Sequence, residues 1–133
     1  AIRLRSIYRP SAPLRREDGA SAFAGLYSRY MNRAKKKGVI WELTPDQFRT
    51  LTSGKCDYCG VLPSQVSWPG GRKVLGSGSY TYNGVDRVEN DRGYVYNNCV
   101  PCCGTCNTMK STMGHDEFLS HIRLILDWKS RNA

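Results

Sequence analysis

No stretch of the 133 residues holds the roughly 18 consecutive apolar side chains that a membrane-crossing helix needs, so a transmembrane helix is not expected. The first residues, AIRLRSIYRPSAPLRRED, lack the apolar segment of a secretory signal. They are Arg-rich and free of acid until Glu17, a composition that would also suit an organellar transit peptide. Acidic residues are scarce throughout: 11 Asp and Glu against 20 Lys and Arg give a net charge of +9. That excess is clustered, which favours a polyanionic partner over mere solubility. Histidine is scarcer still, with only His115 and His121, and there is no internal repeat. The length fits one small domain with tails, a size whose modest core is often supplemented by a structural metal.

Cysteine is not scarce, and its spacing argues against disulfides. Of the six, two form Cys56-Asp57-Tyr58-Cys59 and four lie in CVPCCGTC. Short CxxC loops are poor disulfide scaffolds and natural zinc knuckles. Four thiolates from two knuckles make a tetrahedral structural Zn²⁺ site with no open position for catalysis. The first knuckle is Cys56 and Cys59. The second has two registers, Cys99 with Cys102 or Cys103 with Cys106, and we take Cys103 and Cys106 because they lead directly into a helix-like NTMKS. Cys99 then serves as a small buried hydrophobe, and Cys102 has no assigned role. Reduced cysteines imply a reducing compartment, either host-cell cytoplasm or an organelle matrix.

Three segments follow from composition. Residues 1–18 form a basic extended arm, where Arg3, Arg5, Arg9, Arg15 and Arg16 alternate with Pro10 and Pro13, which discourage helix. Residues 19–54 are helical. Ser21 to Lys37 carries Phe23, Leu26, Tyr27, Tyr30, Met31 and Ala34 at helical spacing, with Lys35, Lys36 and Lys37 before a Gly38 stop. After an extended Val39–Leu43, Thr44-Pro45-Asp46-Gln47 reads as a capping box that opens a short helix. Residues 55–130 form the zinc module. Within it, 61–78 reads as a flexible loop with Arg72 and Lys73, 79–88 as a strand and 89–93 as a turn. Tyr94–Tyr96 reads as a second strand, and the cysteine cluster as the opening of a helix. A last helix from about Gly114 to Ser130 has Phe118, Leu119, Ile122, Ile125 and Leu126 on one face.

The ordered set CDYCG, YNGVDRVENDRGYVYNN and CVPCCGTCNTMKS resembles the HNH, or His-Me finger, endonucleases of the small phage and homing type. With YSRYMNRAKKKGVIWELTPDQFRTL, the resemblance covers about residues 27–125. It implies an α+β fold: a small zinc-stabilised ββα-metal (HNH-like) module with flanking helices and the basic arm. It also implies DNA cleavage with Mg²⁺ or Mn²⁺, leaving 5′-phosphate and 3′-hydroxyl ends. By position, Asp86 and Asn107 would ligate that ion, and Asn98 would orient the hairpin loop. A hard cation does favour such oxygen ligands. The family's general-base His is replaced by Arg87, which stays protonated and would instead hold the scissile phosphate. His115 and His121 read as ordinary helix residues, and Glu89 and Asp91 as turn residues.

Candidate nucleic-acid contacts are the arm arginines, Lys35, Lys36, Lys37, Arg72, Lys73 and Lys110. Trp68 is a candidate base-stacking residue, whereas Trp41 and Trp128 read as core. Two functions fit. One is a metal-dependent DNA endonuclease. The other is a catalytically silent zinc protein that grips RNA or DNA inside a larger assembly such as a ribosome.

Overall fold

The computed structural model describes residues 19–73 and 78–133. The basic arm with Arg3, Arg5, Arg9, Arg15 and Arg16 lies outside the described residues. Helix α1 runs Ala20–Lys36 and buries Ala22, Phe23, Leu26 and Ala34 along one stripe. Helix α2, Pro45–Thr52, begins as the capping box requires. Thr44 Oγ1 accepts from the Gln47 N–H at 3.2 Å, and Gln47 Oε1 accepts from the Thr44 N–H at 3.0 Å. These two helices meet on Phe48, which is wholly buried among the rings of Phe23, Tyr27, Tyr30 and Trp41 at 5.3 to 6.0 Å.

Two small antiparallel sheets follow. Strand β1 (Gln65–Ser67) pairs with β2 (Tyr80–Tyr82), and β3 (Gly84–Arg87) pairs with β4 (Cys99–Cys102). The segment predicted as a flexible loop over 61–78 therefore contains a strand and a single 3-10 turn at Pro69–Gly71. The single strand predicted over 79–88 is two, broken at Asn83. There the side chain turns inward, its amide donating to Gly54 O at 2.9 Å and Val61 O at 3.1 Å. The second strand of the hairpin is Cys99–Cys102 and not Tyr94–Tyr96. Tyr94 makes only an isolated parallel bridge to Trp41. Helix α3 starts one residue after the strand, at Gly104–Lys110, with Cys103 as its N-cap.

The last helix, α4 (His115–Arg131), matches its predicted span closely but not its predicted burial. Phe118 is its one buried residue, edge-on to Tyr58 at 5.3 Å. Leu119, Ile125 and Leu126 are exposed, as is Trp128, read from sequence as core. The β3–β4 hairpin with α3 packed against β3 is the ββα frame on which the candidate site is built.

Candidate metal centre and catalytic face

The structure resolves the ambiguity of register. Cys56, Cys59, Cys103 and Cys106 place their sulfur atoms within 4.8 Å of one another. Thiolates bound to tetrahedral zinc at about 2.3 Å sit about 3.8 Å apart, and Cys59 and Cys103 are already separated by 3.7 Å. The four cysteines can therefore hold a metal ion such as zinc. The first knuckle is closed by backbone bonds from Gly60 N to Cys56 O and from Cys56 N to Val61 O. Gly60 takes φ +79, a left-handed turn that suits glycine. Burial opposes ionisation of Cys56. Backbone N–H groups of Cys103, Cys59 and Tyr58 outweigh it and bring that thiol down to about 6. This favours the thiolate a metal needs. The second knuckle joins β4 to α3, so an ion here pins the hairpin to the helix.

The other two cysteines lie outside the quartet. Cys99 is buried in the aromatic core, and burial pushes its thiol up to about 12. Cys102 is buried beside the quartet, with its thiol directed at Cys103 O at 3.5 Å.

Asp86 sits in β3 with its side chain buried. Its carboxylate receives Lys110 Nζ at 3.2 Å on Oδ1 and 3.1 Å on Oδ2, and the Tyr58 hydroxyl at 2.8 Å on Oδ2. Lys110 also donates to Arg87 O at 3.2 Å. It is 0 % exposed, so the phosphate contact predicted for it is replaced by an internal ion pair. The cause is local: Lys110 lies one turn beyond Asn107 on α3, the face turned to β3. His115 Nδ1 lies 3.3 Å from the Tyr58 oxygen. Burial and the adjacent Asp86 hold the Tyr58 hydroxyl well above the ordinary phenol range, so it remains a proton donor to the carboxylate. Tyr58 escaped the sequence reading because its place between two knuckle cysteines says nothing about where its ring turns. The Asn107–Lys110 spacing, one helical turn, was the available signal for Lys110.

Arg87, half-buried, donates from one guanidinium nitrogen to Asn90 O at 2.6 Å and lies over the Tyr94 ring at 5.1 Å. Asn107 is exposed in α3, directly after Cys106. Asn98 is wholly buried and spans the hairpin loop. It accepts from Glu89 N at 3.0 Å and donates to Glu89 O and Gly93 O, each at 2.9 Å. Lys35, Lys36, Lys37, Arg72 and Lys73 are exposed, and Lys73 lies over the half-buried Trp68 ring at 5.6 Å. The opposite sign collects beside His115, where a cleft is lined by Glu89, Asp91, Asp116 and Glu117. His121 is exposed on α4.

The hairpin, the helix and the cysteine clamp define an α+β, HNH-like fold. No protein-family model matches the chain. The HNH restriction endonuclease PacI, described as rare-cutting and as perturbing DNA, superposes with a TM-score of 0.55 at 20% sequence identity. That match covers 88% of this chain and 93% of PacI. An uncharacterised protein of Acanthamoeba polyphaga mimivirus is 33% identical over 93 residues, 70% of this chain but 15% of that protein. An SPbeta prophage-derived protein of Bacillus subtilis, whose name assigns it to the HNH endonucleases, is 25% identical over 92 residues. That stretch is 68% of this chain and 37% of the prophage protein. The chain thus spans well under half the length of these two relatives.

Proposed function

We propose that the chain is a zinc-stabilised HNH-type endonuclease that hydrolyses DNA phosphodiesters with a divalent ion, Mg²⁺ or Mn²⁺. One observation carries the reading: a cysteine clamp joins β4 to α3 and so sets Asp86 on the hairpin against the helix that bears the exposed Asn107. The names of PacI and the prophage relative support it.

The donor set fits a hard cation. Asp86 offers a carboxylate and Asn107 an amide oxygen, and such ions commonly take one or two protein ligands beside phosphate and water. A carboxylate has about four acceptor positions. Lys110 and Tyr58 make three contacts with that of Asp86, which leaves capacity on Oδ1. When bound, such an ion supplies Lewis-acid stabilisation of the phosphate and the leaving oxygen. Lys110 and Tyr58 hold the Asp86 carboxylate in one orientation. Arg87 keeps guanidinium donors beyond the one given to Asn90 O, and with them holds the phosphate. Tyr58 donates its hydroxyl hydrogen bond to Asp86, which leaves its oxygen open to accept a hydrogen bond from His115 Nδ1 at 3.3 Å. With Nδ1 so engaged, His115 presents Nε2 as its other ring nitrogen. Lys35, Lys36, Lys37, Arg72 and Lys73 are exposed cations that hold the DNA backbone.

A second reading has one observation in its favour. The buried Lys110 already neutralises Asp86, and a protein with that pair and no His at position 87 can bind nucleic acid, RNA or DNA, without cutting it. Incubation of the zinc-loaded protein with supercoiled plasmid separates the two. Nicking that requires Mg²⁺ or Mn²⁺, leaves 5′-phosphate ends and weakens in Arg87→Lys supports the nuclease. Salt-sensitive binding with no nicking in either metal supports the silent binder.

A further inference from the structure

His115 is linked to Asp86 through the Tyr58 hydroxyl, and its surroundings decide which role it can take. It opens α4, where the helix makes no use of the first backbone N–H groups. Its own N–H is free to donate to Val88 O at 3.2 Å, just past the end of β3. That bond sets its ring beside the ring of Tyr58, with centroids 5.3 Å apart and planes at 40°. Phe118, one turn on, packs edge-on against the same tyrosine at 5.3 Å, so α4 seats Tyr58 from two positions. His115 also lines the cleft that holds Glu89, Asp91, Asp116 and Glu117. Those carboxylates repel a phosphodiester, which favours a role for His115 through Tyr58 over direct contact with the phosphate.

The hydrogens of this chain can be counted. The Tyr58 hydroxyl has one, and a carboxylate paired with the Lys110 ammonium can only accept. Asp86 Oδ2 lies 2.8 Å from that hydroxyl and takes its hydrogen. The Tyr58 oxygen can then only accept from His115 Nδ1, which requires a hydrogen on Nδ1. The reverse arrangement, with Tyr58 donating to a bare Nδ1, would press two acceptor oxygens together at 2.8 Å. We propose that His115 is a positioning residue for Asp86: its Nδ1–H holds the Tyr58 oxygen and so commits the Tyr58 hydroxyl to the carboxylate. A donor on that oxygen also polarises the hydroxyl and strengthens its bond to Asp86. What the oriented carboxylate does with a divalent ion rests on the nuclease reading.

Two measurements on the zinc-loaded full chain test this. Long-range proton–nitrogen correlation on the imidazole, with no divalent ion added, reads which nitrogen carries the hydrogen in the neutral ring. In wild type it is Nδ1, and a hydrogen on Nε2 alone overturns the proposal. Mn²⁺ titration followed by electron paramagnetic resonance reads the affinity of the Asp86 site, at matched zinc content and at a temperature where every variant is folded. His115→Ala weakens it about tenfold, the lower end for loss of an outer partner at a metal site. His115→Asn restores it, because the Asn amide nitrogen lies as many bonds from the backbone as Nδ1. His115→Ala adds nothing in a Tyr58→Phe background, where the route to Asp86 is already cut. His121→Ala, exposed on the same helix, binds as wild type does. Wild-type affinity in His115→Ala overturns the proposal, as does an additive loss in the double variant. A wild type that binds no Mn²⁺ sinks the nuclease reading instead, and the position of the imidazole hydrogen then decides this inference alone.

Discussion

The Lys110 ammonium sits wholly inside the protein against a buried carboxylate, and that pair fixes the position of Asp86. Removing one partner of such a pair leaves an uncompensated buried charge. Lys110→Met is accordingly expected to destabilise the fold by about 3–5 kcal/mol in urea unfolding. Asp86→Asn in the same background recovers part of that loss. A single Lys110→Met variant as stable as wild type would show that Asp86 is not held by this contact. The buried thiols offer a second check. Cys99, pushed up to about 12 by burial from an ordinary value of 9.0, stays neutral and protected, so iodoacetamide at neutral pH spares it in the folded protein. Because its folded value is raised, the stability from that buried neutral thiol is complete below about 9. It is lost as pH rises toward about 12, which a pH series of unfolding midpoints will register.

Among the elements, α2 is the one most fully written in its own residues. Thr44, Pro45 and Gln47 dictate its start locally, and Thr44→Ala should cost about 1 kcal/mol in thermal unfolding without moving the zinc site. The hairpin was less legible because its limits are set by partners distant in sequence. Asn83 ends one strand by bonding Gly54 and Val61 across the first knuckle, which no periodicity reveals. Tyr94 has the composition of a strand residue, yet the ladder beside β3 belongs to Cys99–Cys102. Gly93 explains part of this. It takes φ +77, and a Cβ there would lie 2.9 Å from Ile40 Cβ, so the chain turns sharply just before Tyr94. Gly93→Ala should lower the melting temperature more than Thr44→Ala, since both sterics and backbone conformation oppose it. The Lys110–Asp86–Tyr58–His115 chain was illegible for the same reason. Its members come from α3, β3, the first knuckle and α4, and only the assembled fold brings them together.

For the whole molecule, the cysteine quartet is the joint between its parts. The knuckle at Cys56 and Cys59 follows the helical half, and the knuckle at Cys103 and Cys106 lies between β4 and α3. Chelation of the metal should therefore unfold the ββα frame, seen as lost near-ultraviolet dichroism together with release of one zinc per chain. In the proposed nuclease this clamped frame presents Asp86 and Asn107 to a DNA phosphodiester. Substituting Asp86 would perturb folding as well as any metal site, because it strips Lys110 of its partner. Asn107 is exposed, and its loss leaves the ion pair and the quartet intact. The direct measurement is the initial rate of plasmid nicking in Mn²⁺ by Asn107→Ala and wild type, matched for zinc content and melting temperature. A loss of about tenfold to a hundredfold, the scale of removing an orienting partner at a catalytic metal, is the predicted result. Equal rates in the two proteins would show that Asn107 does not hold the catalytic ion.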